Sequence, residues 1–367
     1  MLQQLMSNLT VVSILSVLNS FLLVYYIVPK ISWVITARKL NDKPNERSSH
    51  NKATPTMAGV SFFITLIITL FFIQYYDTER IGLNLIASST LIFMVGVKDD
   101  LVVSSPKAKL VMETLAILFL FLHGAMDESY LHGFLGIYEV PSILMHIFRV
   151  LVVLTIINAY NLIDGIDGLA AIVAIVIFSI FALIFKSTGL NFYFLVCLSF
   201  IGMLIAYLYY NFSNTQKIFM GDTGSLLIGF CIGFLSLKFL AIDTQQYIHF
   251  AFKLENELFV LVAILCIPLF DMFRVIIVRL LQGKSPFYPD RNHIHHILID
   301  SGMSHFKASL LLGFINYMFV IIIIKLSSLL NSYQMLLVFI TAFSLFFISF
   351  YRLKKRIGLH KKNEVTL

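Results

Sequence analysis

The feature that most constrains this chain is a succession of long apolar runs separated by short polar segments. A helix needs about 20 apolar residues to cross a bilayer core of ~30 Å. Eleven runs approach this length, at residues 8–28, 57–75, 82–97, 108–126, 141–160, 168–186, 190–210, 223–241, 256–280, 308–327 and 333–351. Only 13% of the 367 residues are charged, about half the share of a soluble domain. The sequence therefore predicts an all-α, polytopic membrane bundle of about 11 transmembrane helices, and not a barrel of short alternating strands.

Basic residues predict the orientation. No Lys or Arg precedes the first run and Lys30 follows it, so we expect an uncleaved anchor with its N-terminus outside. Most of the 27 Lys and Arg residues then fall on the face that carries 29–56, 98–109, 161–167, 211–222, 281–307 and 352–367. Because such an excess marks the cytoplasmic side, we predict one domain over 1–367 with a basic cytoplasmic tail at 352–367. Contact with anionic membrane lipid accounts for the net charge of +7 without nucleic acid.

A polar stretch separates the fifth and sixth predicted spans. It reads Asn158-Ala-Tyr-Asn-Leu-Ile-Asp-Gly-Ile-Asp-Gly-Leu169. Its amide and carboxylate residues are Asn158, Asn161, Asp164 and Asp167. A spacing of three drifts by ~60° per step on a straight helix, so these four side chains cannot share one face. Because Gly165 and Gly168 permit the backbone angles that end a helix, we interpret the stretch as a helix end that opens into a ligand-binding loop.

Adjacent carboxylates end the third predicted span, in Met94-Val-Gly-Val-Lys-Asp-Asp-Leu101. Asp99 and Asp100 repel each other and are costly near lipid, which indicates water, a metal ion or a cationic ligand at this helix end. Neighbouring side chains on a helix diverge by ~100°. We therefore expect the two carboxylates to have different roles and not to chelate one ion together.

The eighth predicted span starts with Phe219-Met-Gly-Asp-Thr-Gly-Ser-Leu226. Unpaired N–H groups at a helix N-terminus attract an anion, and Thr223 and Ser225 are suited to cap the helix. Asp222 at this place either caps the helix or binds a metal ion that bridges to the anion.

A cluster of imidazoles lies in Gly283-Lys-Ser-Pro-Phe-Tyr-Pro-Asp-Arg-Asn-His-Ile-His-His-Ile-Leu298. Its basic members are Arg291, His293, His295 and His296. The histidines suggest zinc, but no cysteine lies nearby and an arginine among them repels a cation. The cluster therefore favours an anion such as phosphate.

Three other segments carry weaker signals. In the first loop, His50, Lys52 and the turn Thr54-Pro55-Thr56 precede a span, and we expect this loop to contact the ligand. Asp271 and Arg274 lie one turn apart in the ninth span, where a structural pair and a functional one are equally open. Segment 127–140 is predicted to be a short outer surface loop without chemistry, with a solvated His132.

The polar segments on one membrane face together describe a site for a polyanionic ligand. Carboxylates alone repel phosphate, so a divalent ion must stand between them, and oxygen ligands suit Mg²⁺, with Mn²⁺ as the alternative. A metal ion, cations that hold a leaving group and a carboxylate near the nucleophile are what phosphoryl transfer needs.

The segments Asp99-Asp100, 158–169, 219–226 and 285–296 resemble the polyprenyl-phosphate N-acetylhexosamine-1-phosphate transferases, the family of WecA, TagO and, more distantly, MraY. The resemblance covers nearly the whole chain. It implies attack by the phosphate of undecaprenyl phosphate on the β-phosphorus of a UDP-amino sugar, with release of UMP and a requirement for Mg²⁺. It also implies the bacterial inner membrane, a cytoplasmic site and the first step of a surface polysaccharide.

The resemblance also implies roles for single residues. Asp222 matches the magnesium ligand, and Asp99, beside Asp100, matches the carboxylate that activates the lipid phosphate. The residues that match substrate-binding positions are Asn158, Asn161, Asp164, Asp167, Phe219, Arg291, His293, His295 and His296. Met57-Ala58-Gly59 departs from the family's usual glycine pair, and the sequence His-Ile-His-His argues against a muramoyl-peptide substrate.

Several alternatives stay open at this point. UDP-GlcNAc is the first choice of donor, and the 6-deoxy sugars UDP-QuiNAc and UDP-FucNAc are the second. Direct attack and a covalent intermediate on Asp99 are both compatible with the sequence, as are a monomer and a homodimer. A different class, the ion-coupled transporters, also carries intramembrane Asp and His. In transporters, however, the charges lie near the midplane and the halves often repeat, whereas here they cluster at one face.

Overall fold

The computed structural model describes residues 7–40, 53–102, 105–122, 130–243, 251–286, 288 and 291–365. A helix or helix pair lies at each of the eleven predicted positions. In chain order the helices are α1 (Leu9–Ala37), α2 (Gly59–Ile73), α3 (Gly82–Leu101), α4 (Pro106–Phe121), α5 (Ser142–Ile163), α6 (Leu169–Ser187), α7 (Asn191–Asn211), α8 (Gly221–Leu240), α9 (Glu257–Ile264), α10 (Cys266–Leu281), α11 (Ile294–Asp300), α12 (His305–Leu329) and α13 (Ser332–Val365). Two short strands, β1 (Tyr130–Phe134) and β2 (Ile137–Glu139), follow α4.

The chain is a polytopic helical membrane protein. Within the described residues, eight helices are long and apolar enough to cross a bilayer, or nine if α9 and α10 form one bent span. α3 and α4 lie at predicted spans but are not among these candidates. α3 carries Lys98, Asp99 and Asp100 in its last turn, and α4 has only 16 residues and carries Lys109 and Glu113. Eleven crossings, and the sides of the two termini, therefore stay predictions.

Helix α8 lies at the centre of the bundle and packs against α2, α3, α5 and α6. Nearly all of its residues are buried. Glycines four residues apart permit this: a Cβ on Gly229 would lie 3.0 Å from the Cα of Ile157, and one on Gly233 would lie 2.7 Å from Val153 Cγ1, both on α5. Small residues at this spacing let membrane helices approach closely. The first turn of α8 is thereby held inside a ring of other helices.

The ninth predicted span is broken near its middle. α9 and α10 meet at an angle of 76°, and Asn316 of α12 bridges the break. Its amide donates to the carbonyl of Ile264 at 3.1 Å, and its carbonyl accepts the N–H of Ile267 at 3.0 Å. Backbone groups freed inside a membrane need such partners. Pro268, which lacks an N–H, is the sequence signal for this break.

The outer segment forms a hairpin, and the prediction of a short surface loop there is wrong. β1 and β2 pair antiparallel, with Tyr130 opposite Glu139 and Phe134 opposite Ile137. The prediction of a solvated His132 is also wrong. Its side chain is 9% exposed, and its Nδ1 lies 3.3 Å from Glu257 Oε2, because the hairpin covers the start of α9. The all-α prediction therefore holds for the helical bundle and misses this hairpin.

The last helix is longer than its predicted span. α13 has 34 residues and continues without interruption to Val365. Most of the predicted basic tail at 352–367 is therefore helical and continues the last membrane helix.

Close packing of α2 on α8 gives the first testable prediction. A Cβ on Gly59 would lie 2.1 Å from the backbone N of Gly224, so Gly59→Ala must push the two helices apart. Overpacking of this kind costs about 1–3 kcal/mol. We expect a lower midpoint of thermal unfolding in detergent.

The matched control is Gly358→Ala on α13, where an added Cβ would meet no atom within 4 Å. Alanine favours a helix over glycine, so this variant is expected to unfold no earlier than the parent. Equal midpoints for the two variants would contradict the packing argument.

Candidate active site

The candidate site forms where the end of α3 meets the start of α8. A Cβ on Gly96 would lie 2.4 Å from the Cα of Thr223, so glycine is needed for this approach. Asp100 then accepts hydrogen bonds from the backbone N–H of Asp222 at 2.8 Å and of Thr223 at 3.0 Å. The Thr223 hydroxyl also donates to it. Asp100 thus caps α8 from a neighbouring helix and neutralises its positive end.

The neighbouring carboxylate, Asp99, contacts α4. Its Oδ2 lies 2.8 Å from Lys109 Nζ, which also lies 3.6 Å from Oδ2 of Asp222. The pair Asp99 and Asp100 therefore divides its contacts, as the helix geometry predicted. Lys109 is a site residue that the sequence did not predict, because a lysine near the start of a span is also what a topology signal looks like.

Behind Lys109 lies a buried carboxylate that was also missed. Glu113, one turn further along α4, is fully buried, and its Oε2 lies 3.5 Å from the amide nitrogen of Asn158. That nitrogen also donates to the carbonyl of Leu154 at 2.8 Å. Asn158, predicted to bind substrate, thus joins α4 to α5 behind the site.

The polar stretch after α5 has the predicted form of a helix end that opens into a loop. α5 ends at Ile163 and α6 begins at Leu169. Asn161 accepts a hydrogen bond of 2.7 Å from the Ser225 hydroxyl of α8. Burial, reinforced by the nearby carboxylates of Asp222 and Asp100, raises the pKa of Asp164 to about 7. These contacts place Asn161 and Asp164 beside the Asp99, Lys109 and Asp222 group.

Asp167 has a different environment, because it is paired with a lysine and an imidazole. Its Oδ2 lies 2.6 Å from Lys217 Nζ and 2.9 Å from His305 Nδ1. Burial favours a higher pKa for Asp167, but hydrogen bonds from His305 and Lys217 outweigh it and lower the pKa. Its backbone carbonyl also accepts from Ser309 at 2.8 Å. Its contacts tie the loop to α12, and substrate binding by Asp167 stays a prediction.

The histidine cluster is anchored by a buried ion pair. Asp271 accepts from the N–H of Ile294 at 2.9 Å, and its carboxylate lies 2.8 Å from His293 Nδ1 and 3.3 Å from Arg274. The pair Asp271 and Arg274, left open by the sequence, therefore has at least a structural role. It orients His293 at the start of α11.

His295 and His296 have environments that keep them neutral. Burial lowers the pKa of His295, and burial together with Arg291 lowers that of His296 to about 4. The Nδ1 atoms of both rings have no hydrogen-bond partner among the described residues. These two imidazoles are therefore neutral hydrogen-bonding groups at neutral pH, and binding of an anion by the cluster stays a prediction.

The histidine cluster reaches the loop after α5 at one point. A Cβ on Gly165 would lie 2.2 Å from Nε2 of His295, so only glycine lets the ring approach the Asp164 loop. Arg291 lies further out, 4.0 Å from Asp300, with its side chain 37% exposed.

The C-terminal end of the first loop, which the structure describes from residue 53, reaches the site. The N–H of Phe219 donates to the carbonyl of Pro55 at 2.8 Å, and the N–H of Ala58 donates to the carbonyl of Phe219 at 3.1 Å. Lys217 Nζ lies 5.4 Å from the centroid of the Phe219 ring. The predicted residues His50 and Lys52 lie outside the described residues.

The site carries more negative than positive charge. Asp99, Asp100, Asp164 and Asp222 lie close enough to interact, and Lys109 is the cation that contacts two of them. No group of three His, Cys, Asp or Glu side chains in the described part of the chain could hold a metal ion by itself. A Mg²⁺ site built from one or two carboxylates, water and substrate phosphate fits this donor set.

Comparison with known proteins matches residues 83–240 to Glycosyl transferase family 4. The chain is similar to the probable undecaprenyl-phosphate N-acetylglucosaminyl 1-phosphate transferase of Bacillus subtilis, 31% identical over 89% of this chain and 87% of that protein. It is similar to the undecaprenyl-phosphate alpha-N-acetylglucosaminyl 1-phosphate transferases of Pasteurella multocida, 32% identical over 82% of each chain, and Haemophilus influenzae, 29% identical over 82% and 81%.

The environment of His296 predicts how stability depends on pH. The pKa of His296 is about 4 in the folded protein and ~6.5 in an unfolded chain. Between these values the unfolded chain binds a proton that the folded protein does not, so stability is lost as pH falls from 6.5 towards 4. We expect His296→Gln to reduce this loss, measured as the unfolding midpoint in detergent at pH 7.5 and pH 5. An equal fall of the unfolding midpoint in the parent and the variant would contradict the conclusion that His296 is buried and neutral.

Proposed function

Because this chain belongs to glycosyl transferase family 4, we propose that it transfers N-acetylhexosamine 1-phosphate from a UDP-sugar to undecaprenyl phosphate. The curated relatives, named as undecaprenyl-phosphate N-acetylglucosaminyl 1-phosphate transferases, support this general reaction. The observation that carries the proposal is Lys109, held between Asp99 at 2.8 Å and Asp222 at 3.6 Å. A cation between carboxylates from two helices suits a reaction that moves a charged phosphoryl group.

The reaction exchanges one phosphorus–oxygen bond for another. An oxygen of the lipid phosphate forms a bond to the β-phosphorus, and the bond from this phosphorus to the bridging oxygen breaks. UMP leaves with the electron pair of that bond. Because a phosphate monoester is largely dianionic at neutral pH, Asp99 needs only to orient it or to accept its residual proton.

Each side chain then has a task set by its position. Lys109 stabilises the charge that develops on the transferred group, since a preorganised cation in a partly buried site acts strongly. Asp100 keeps the start of α8 in place. Asn161 and Asp164 provide an amide and a carboxyl group for the nucleoside, and Phe219 provides a ring for the uracil.

The imidazoles of His295 and His296 complete the site on its other side. As neutral rings they donate or accept hydrogen bonds to the sugar or diphosphate without adding charge, while the exposed Arg291 supplies a cation. The contact of His295 with Gly165 supports a binding surface that the two loops share.

We propose Mg²⁺ as the cofactor, with Mn²⁺ as a substitute. Asp222, whose side chain is 34% exposed, would hold the ion together with water and substrate phosphate. When bound, the ion neutralises the diphosphate and the surrounding carboxylates. The excess of negative charge in the site supports this assignment.

GlcNAc 1-phosphate is the proposed group, because the curated relatives carry N-acetylglucosaminyl in their names. QuiNAc and FucNAc 1-phosphates are the alternatives. We place the reaction on the cytoplasmic face of a bacterial inner membrane, as the first step of a surface polysaccharide such as O-antigen or teichoic acid.

A donor panel tests the reaction. Purified protein with undecaprenyl phosphate and Mg²⁺ is offered radiolabelled UDP-GlcNAc, UDP-QuiNAc and UDP-FucNAc, and label in the lipid fraction is counted. We expect transfer from UDP-GlcNAc, abolished by EDTA and reduced at least ~100-fold in Asp99→Asn and Asp222→Asn, because each removes a charge from the reacting centre. No transfer from any donor, with variants that behave as the parent, would refute the proposal and favour transport.

Lys109 gives a sharper test of the mechanism. Lys109→Met is expected to lower the rate of transfer by about 100-fold or more, since it removes the cation between the carboxylates. Lys109→Arg should recover part of the rate. The control is Lys107→Met, which removes an exposed charge from the same turn of α4 and should transfer at the parental rate. If both methionine variants are equally active, Lys109 has no part in catalysis.

A further inference from the structure

A second cavity, of about 420 Å³, lies between α10 and α13. Its polar end is formed by Arg274, Asn292, Lys354 and Lys355. Its volume is within the range of ligand pockets. The catalytic scheme proposed above uses none of these residues.

Among the described residues that line this cavity, the charged side chains are Arg274, Lys354 and Lys355, and all three are basic. Asn292 connects two of the cations, because its carbonyl accepts from Arg274 and its side-chain oxygen accepts from Lys354. The cavity therefore attracts a negatively charged group.

Arg274 is an unusual wall residue, because it is 3% exposed yet incompletely bonded. One of its terminal nitrogens contacts Asp271 and Asn292. Its Nε is buried without a hydrogen-bond partner among the described residues. Burial makes the charge of Arg274 costly, and an anion bound in the cavity that this residue lines would stabilise that charge further.

The remaining walls are apolar and open to the outside of the bundle. Val278, Leu281, Phe347, Phe350 and Tyr351 line the cavity. Leu281 is 78% exposed and Tyr351 is 62% exposed. The cavity thus combines a cationic end with apolar walls along two membrane helices. These features are complementary to an amphipathic ligand that has an anionic headgroup.

We propose that this cavity binds the phosphate headgroup of an acidic phospholipid, with the adjoining acyl chain along Phe347 and Tyr351. A soluble phosphate would use the cations and leave the apolar walls uncovered. A neutral lipid would cover the walls and bring no negative charge to the basic end of the cavity. The proposal goes beyond the transferase reaction and does not depend on it.

A fluorescence experiment tests this assignment directly. The sequence contains one Trp, Trp33 on α1, so the variant Trp33→Phe/Tyr351→Trp carries a single fluorophore on the cavity wall. The protein is placed in phosphatidylcholine vesicles that contain brominated phosphatidylglycerol or brominated phosphatidylcholine, and quenching is followed. We expect brominated phosphatidylglycerol to quench the introduced tryptophan at a roughly tenfold lower mole fraction than brominated phosphatidylcholine, because Lys354 and Lys355 attract its anionic headgroup.

Matched charge removals identify the residues responsible. In the same background, Lys354→Gln/Lys355→Gln should abolish the preference for phosphatidylglycerol. Arg352→Gln/Arg356→Gln removes the same charge from positions of α13 that are not among the lining residues, and it should keep the preference. Equal quenching by the two brominated lipids in Trp33→Phe/Tyr351→Trp, with all lysines and arginines in place, would overturn the proposal. This outcome does not depend on whether the charge-removal variants fold.

The lipid acceptor of the proposed reaction is the competing occupant. Unbrominated undecaprenyl phosphate or phosphatidylglycerol is added to the quenched sample, and recovery of fluorescence is compared. Recovery by both at similar mole fractions supports a general site for acidic lipid. Recovery by undecaprenyl phosphate at a far lower mole fraction would overturn the proposal and assign the cavity to the acceptor.

Discussion

The contact on which the site depends is the cap that Asp100 of α3 places on the first turn of α8. Helix α8 is buried along its length, so its free N–H groups have little access to water and need a partner from the protein. Asp100 supplies both oxygens to Asp222 and Thr223. This cap fixes the end of α3 beside α8, and it thereby brings Asp99 and Asp222 within 2.8 Å and 3.6 Å of Lys109 Nζ.

Carboxylates with different partners have different roles. Asp167 pairs with Lys217 and Asp271 pairs with Arg274, each also contacts an imidazole, that of His305 or of His293, and both hold loops in place. Asp164 lies among other carboxylates, and its raised pKa reflects burial and this repulsion. The excess of negative charge in the candidate site favours the binding of a divalent ion and, through it, of a phosphorylated ligand. The proposed reaction is based on this excess.

Local patterns could be predicted because they depend on neighbouring residues. The long apolar runs predicted the positions of the eight or nine candidate membrane spans among the described residues, and Gly165 and Gly168 predicted the loop after α5. The divergence of Asp99 from Asp100 also followed from helix geometry. Distant partners could not be predicted in the same way. Lys109 had no local signal beyond its charge, the burial of His132 depends on Glu257 of α9, and the low pKa of His296 depends on burial and Arg291.

The sequence by itself determined the class of protein, the helices and the residue types available for chemistry, since hydropathy and helix periodicity are local properties. Only the tertiary structure decided which carboxylates cap helices, which form ion pairs and which lie in the site. The physical reason is that protonation, capping and ion pairing depend on side chains distant in sequence and close in space. Asp100 and Asp222 are separated by 121 intervening residues in the chain, yet a hydrogen bond of 2.8 Å joins them.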